Sequence, residues 1–183
     1  MIRRASKVLL AGFLFAGPIG AQNLPDDFST GAAIPNHGPV APQPSDAFNL
    51  VPGEAYRVLF DVAFGSKDEH ALNRRLESVA RFVNLHARAG IDPEDVRIEV
   101  VTHGGTTFDV LSRDAYRERF GVDHPNIDLL AALQAAGVTV YLCGQSASAQ
   151  GVAPDELAPG VKLAQSAMTV LVRRQREGWV LLP

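Results

Sequence analysis

A thiol and an imidazole close two apolar runs in this chain, and these side chains are the ones suited to covalent chemistry. Cys143 is the only cysteine and follows Val138-Thr139-Val140-Tyr141-Leu142; His103 follows Val96 to Thr102. Both runs are short, rich in β-branched residues, and read as buried strands. Gly144 permits a bend after the cysteine, and Gln145 to Gln150 read as a short helix closed by Gly151. A thiol so placed stands at the C-terminal edge of a sheet and faces a helix N-terminus. Open α/β folds hold ligands there, and N–H groups with a helix dipole stabilise a thiolate. If the two strands are neighbours in a parallel sheet, the imidazole can hydrogen-bond the thiol or stabilise its charge, as in Cys–His nucleophiles. Gly104 and Gly105 offer backbone N–H groups to an anion, while Gln145 and Ser146 offer hydrogen bonds to a group carried on the sulfur. A bland reading stands beside each: an inert thiol packed under the following helix, and a turn imidazole that satisfies a backbone group.

Other chemistries find no pattern. The glycines form neither GxGxxG nor a Walker loop. His103, Asp123 and His124 lack the paired spacing of zinc ligands, and CxxC is absent, so no metal and no cofactor is expected. Ser146 lacks the GxSxG context of a hydrolase elbow. His37 reads as a solvated loop residue, His86 as a half-buried member of a helix stripe, and Met168 and Leu171 as core.

The elements that must position the thiol begin after two leading segments. Residues 1–21 read as a signal peptide: Arg3, Arg4 and Lys7 precede an apolar stretch from Val8 to Ala16 and a small-residue exit at Ala21. The stretch is too short to span a bilayer, so export to the periplasm as a soluble protein is expected. A lone cysteine in an exported protein cannot close an internal disulfide; it is a buried small hydrophobe, an intermolecular bridge or a free thiol. The formal charge is -3, and loss of three cations with the leader leaves 14 Lys+Arg against 20 Asp+Glu, or -6. An acidic body without a basic stripe excludes nucleic acid and anionic membrane as main partners. Residues 22–53 carry six prolines and no hydrophobic period, and read as an extended arm that adds no core.

From residue 54 onward strands alternate with helices. Tyr56 to Phe64 reads as a strand, and Ser66 with Glu69 as a capping box opening a helix that runs to Ala89, with Leu72, Leu76, Val79 and Val83 as its buried stripe. After the His103 strand come helical stretches from Thr107 to Phe120, broken at Ser112, and a helix capped by Asn126 and stopped by Gly137. Beyond Cys143, Val161 to Ala164 is a strand, Ser166 caps a helix to Glu177, and Trp179 to Leu182 is the last strand. This alternation predicts an α/β fold, three layers with helices on both faces of a largely parallel five-stranded sheet.

Particular segments carry a resemblance. Asn126-Ile127-Asp128-Leu129-Leu130 leads to Ala135-Ala136-Gly137-Val138 and then Tyr141-Leu142-Cys143-Gly144-Gln145-Ser146. Gly151-Val152-Ala153-Pro154, Pro159-Gly160-Val161-Lys162, Ser166-Ala167-Met168-Thr169 and Gly178-Trp179-Val180-Leu181-Leu182-Pro183 follow in order, and Val101-Thr102-His103-Gly104 precedes them. From Tyr56 to Pro183 the chain resembles the DsrE/DsrF (DsrEFH-like) family of sulfur-handling proteins, in its exported single-cysteine branch. The resemblance implies an α/β/α domain over residues 54–183, assembled as a homo-oligomer (trimer or hexamer). It also implies sulfur carried as a persulfide on Cys143, exchanged with a donor or acceptor protein, with Gly144, Gln145 and Ser146 flanking it and His103 near. The alternative reading is a non-catalytic oligomeric module that binds a small ligand and uses Cys143 for packing.

Overall fold

The computed structural model describes residues 24–42 and 44–183. The expected leader lies outside the described residues. Five strands form one parallel sheet: β1 (Tyr56–Val62), β2 (Val96–Thr102), β3 (Thr139–Cys143), β4 (Lys162–Ala164) and β5 (Val180–Leu182), in the order β4-β3-β2-β1-β5. Five α-helices connect or flank them: α1 (Arg74–Arg88), α2 (Arg113–Phe120), α3 (Ile127–Ala135), α4 (Gly144–Ala149) and α5 (Ala167–Arg176). The three-layer α/β/α architecture expected from the alternation is present. Among the described residues no helix is long and apolar enough to cross a membrane.

Strand alternation sends successive side chains to opposite faces. On one face Val58, Phe60, Val62, Ile98, Val100, Val140 and Leu142 form the main core with Leu76 and Val79 of α1 and Leu129, Leu130 and Leu133 of α3. On the other face Leu59, Val101 and Cys143 pack beneath α5, against Ala167, Val170 and Leu171. The layers are therefore unequal, with α5 the only α-helix on the second face among the described residues. Arg174 clamps it there: its guanidinium donates to both carboxylate oxygens of Glu99 on β2, at 2.6 and 2.7 Å, and lies over the Trp179 ring. Met168, expected in the core, is instead 72% exposed on the outer side of α5.

The topology explains the position of the thiol. β1, β2 and β3 each run into helical segments on the main-core face, whereas β4 runs into α5 on the opposite face. The connections thus diverge between β3 and β4. Cys143 ends β3 at this switch point, where an open α/β sheet leaves a crevice beyond its strand ends.

Four local expectations give way. The first helix opens at Arg74, not after Ser66; Asn73 caps it, accepting from the Arg75 and Leu76 amides at 2.9 and 3.2 Å. Ser66 is drawn away by Asp109, to which it donates its hydroxyl at 2.7 Å and its amide at 3.0 Å, and Leu72 packs from the loop before the helix. Asn126 stands at the start of α3 but caps nothing with its side chain; it accepts from the Asn73 amide and donates to Asp109 and Ser66 instead. The arm does add to the core, through Ile34 and Val40. His37, read as solvated, is partly buried, and burial pulls its pKa down.

Candidate functional site at the C-terminal edge of the sheet

Cys143 is 5% exposed, with Leu59, Val101 and Ala167 beneath and beside it. Burial alone pushes a thiol pKa up, because it disfavours the thiolate. Here hydrogen bonds outweigh that penalty: the amides of Ala167, Ser146 and Gln145 and the Ser146 hydroxyl point at the sulfur, and the net pKa lies below the ordinary thiol value. The donors come from the first turns of two helices, α4 and α5, which start on opposite faces of the sheet. Their convergence is a direct result of the switch point, since each strand end there hands over to a helix N-terminus with unpaired N–H groups.

Close approach of the β3 and β4 ends makes this possible. A Cβ at Gly144 would lie 2.7 Å from the Ala164 carbonyl oxygen, so only glycine lets the turn after Cys143 pass β4. Gln145 bridges the same two ends with its side chain, donating to the Gln165 carbonyl at 3.4 Å. Its contribution to the sulfur is the backbone amide. Ser166, the cap of α5, accepts from the Met168 amide at 3.2 Å and leaves the Ala167 N–H directed at the thiol.

The His103 turn is laced to the cysteine helix. The Gly104 amide donates to Ser146 Oγ at 3.1 Å, which leaves the hydroxyl proton for the sulfur. That amide is thus engaged through Ser146 and reaches Cys143 only indirectly. Gln150 at the end of α4 donates to the Gly104 carbonyl at 2.7 Å and to Thr107 Oγ1 at 2.8 Å. Gly105, beside it, donates to the Ala63 carbonyl at 2.9 Å.

His103 continues β2 in an extended conformation (φ -160°, ψ 178°). One step before it Thr102 is paired with Leu142, so His103 and Cys143 are next in register on adjacent strands, whose axes are about 4.8 Å apart. Alternation puts both side chains on the α5 face. Asp61 of β1 belongs to the same face, and its carboxylate meets His103 Nε2 at 2.8 Å. A carboxylate, an imidazole and a thiol therefore share one face of β1, β2 and β3 near their C-terminal ends, with Asp61 two residues short of the level of His103. The carboxylate fixes the orientation of the ring, and His103 spends this nitrogen on Asp61, not on the thiol. Asp61 and His103 are each a little over one-quarter exposed, at 28% and 29%.

Asp61 and Gln150 were not singled out from sequence. Asp61 did leave a signal, as the one acid in the apolar strand, in step with Leu59. Gln150 left none. Among the described residues no group of three or more His, Cys, Asp or Glu is placed to hold a metal ion.

Residues 56–183 match the model of the DsrE/DsrF-like family. A solved structure described as a protein of unknown function, MTH1491 from Methanobacterium thermoautotrophicum, is 31% identical. Its TM-score is 0.52, and the match covers 69% of this chain and 97% of that one. The ychN protein from E. coli is 13% identical with a TM-score of 0.49, covering 69% and 96%. No curated protein matches the chain.

Proposed function

The chain belongs to the DsrE/DsrF-like family, a family associated with sulfur metabolism, and from that premise we propose that it accepts and passes on sulfane sulfur at Cys143. The single observation that carries this reading is the place of Cys143 at the end of β3 between the first turns of α4 and α5, where hydrogen bonding to the sulfur favours the thiolate despite burial. The thiolate is the attacking species in exchange at sulfur.

The step balances without an added oxidant. The Cys143 thiolate attacks the outer sulfur of a persulfide R–S–SH, a new S–S bond forms, the old one breaks, and R–S⁻ leaves. With thiosulfate the leaving group is sulfite. The same donors that stabilise the thiolate would serve a persulfide anion, and His103, held by Asp61, borders the path outward. Transfer onward is the reverse exchange with an acceptor thiolate. The leader pattern supports a periplasmic setting, and the family supports a homo-oligomer, trimer or hexamer, meeting a sulfur donor or acceptor protein.

The test is the intact mass of the mature protein after incubation with thiosulfate or polysulfide. One added sulfur on Cys143, removed by dithiothreitol and absent in Cys143→Ser, is the expected result; an unchanged mass with both donors overturns it. The low exposure of Cys143 favours a second reading, in which the thiol only packs and the fold binds a small ligand. Under that reading Cys143→Ser retains the biological phenotype along with the fold.

A further inference from the structure

The arm is fastened far from Cys143, over the opposite end of the sheet. Asn84 of α1 is fully buried and accepts from the Ile34 amide at 2.8 Å while donating to the carbonyls of Ile34, His37 and Gly38. Arg88 donates to the carbonyls of Ser29, Thr30, Gly31 and Val40. Gly38 lies so close to α1 that a Cβ would stand 2.3 Å from the Ala80 backbone. These contacts hold Ile34 and Pro35 as one wall of a cavity of about 400 Å³, whose other walls include His86, Ile98, Ala132 and Val138. The arm lies outside the family match, so this wall is an addition to the family domain.

The cavity has the size and apolar lining of small-molecule sites, and His86 gives it direction. The ring is 3% exposed, packs on Phe82 and Tyr56, and places Nδ1 2.8 Å from the Phe82 carbonyl. A carbonyl only accepts, so Nδ1 carries the proton and Nε2 is a bare acceptor, without a partner among the described residues. Burial lowers the pKa and keeps the ring neutral at neutral pH.

We propose that the cavity under the arm binds a small, mostly hydrocarbon molecule bearing one hydroxyl, a phenol or alcohol, which donates to His86 Nε2. This site is independent of Cys143 and does not rest on the sulfur reading. A charged ligand is disfavoured, because no opposite charge lines the cavity.

The test is fluorescence titration of the full chain with 1-naphthol, with naphthalene as the partner lacking the donor. Saturable binding of 1-naphthol about tenfold tighter than naphthalene is expected, the worth of one buried hydrogen bond. His86→Phe should bring the two to equal affinity, Ala132→Phe should remove both by filling the cavity, and Cys143→Ser should leave both unchanged. No saturable binding, equal affinity of the two probes for the wild-type protein, or binding unaffected by Ala132→Phe overturns the proposal. The comparison of probes on the wild-type protein needs no variant to fold.

Discussion

At the scale of single residues, the molecule shows how hydrogen bonding and burial compete over an ionisable group. Cys143 and His124 are both almost fully covered, at 5% and 4% exposure, yet they are treated differently. Donors rescue the charged form of Cys143. For His124 the balance falls the other way: it stacks on Tyr116 at 4.2 Å, its Nδ1 accepts from the Asn126 amide, and the Leu111 backbone, which favours its charged form, does not offset burial. Burial drives its pKa down to about 4. An unfolded imidazole titrates near 6.5, so between these values the unfolded chain binds a proton that the folded one does not. The contribution to stability is full above about pH 6.5 and falls toward pH 4, by about 1.4 kcal/mol per pH unit at most. His124→Phe should keep the stack and flatten that slope in urea denaturation between pH 4 and 7. An unchanged slope would assign the acid sensitivity to another group.

At the scale of elements, α5 has to stay seated for the Ala167 amide to reach Cys143. One clamp is the Arg174–Glu99 pair, joined by the Tyr141 hydroxyl at 3.3 Å from Glu99. Arg174→Ala should lower stability by about 1.5–3 kcal/mol, the range for hydrogen bonds to charged groups. It should also raise the pH midpoint of Cys143 alkylation, since one donor loses its support. Lower stability with an unmoved midpoint would mean that the start of α5 is held by Ser166 alone. The strands, the break at Ser112 and the cap at Ser166 were legible because they depend on neighbours in sequence, apolar runs and an N-cap hydroxyl. The start of α1 was not. Ser66 and Glu69 have the right spacing for a capping box, but Asp109, 43 residues on, captures Ser66, and no local pattern carries that information.

At the scale of the whole molecule, the strand order decides the chemistry available. A parallel sheet whose last crossover reverses direction brings two helix starts to one strand end, and the register puts His103 level with Cys143 while Asp61 reaches the imidazole from two residues back on β1. The positions of Cys143 and His103 could be read from the two apolar runs, and the Gln145 and Ser146 donors from the helix that follows; the Ala167 amide could not, because it arrives with the start of α5 from beyond β4. The arm shows the same limit, since Ile34 and Val40 lie in a proline-rich stretch without a period and owe their burial to Asn84 and Arg88. Asn84→Ala should cost about 2–4 kcal/mol by stranding buried backbone groups and expose the arm to proteolysis, while leaving Cys143 alkylation unchanged. Slower or faster alkylation in that variant would show the two ends of the sheet to be coupled. The most direct test of the thiol site is the rate of iodoacetamide alkylation of Cys143 from pH 5 to 9, in the wild-type protein and in Ser146→Ala. A midpoint below the free-thiol value of about 8.5 is expected, moving upward when the hydroxyl donor is removed. A rate that rises only above pH 8 and is indifferent to Ser146 would contradict it.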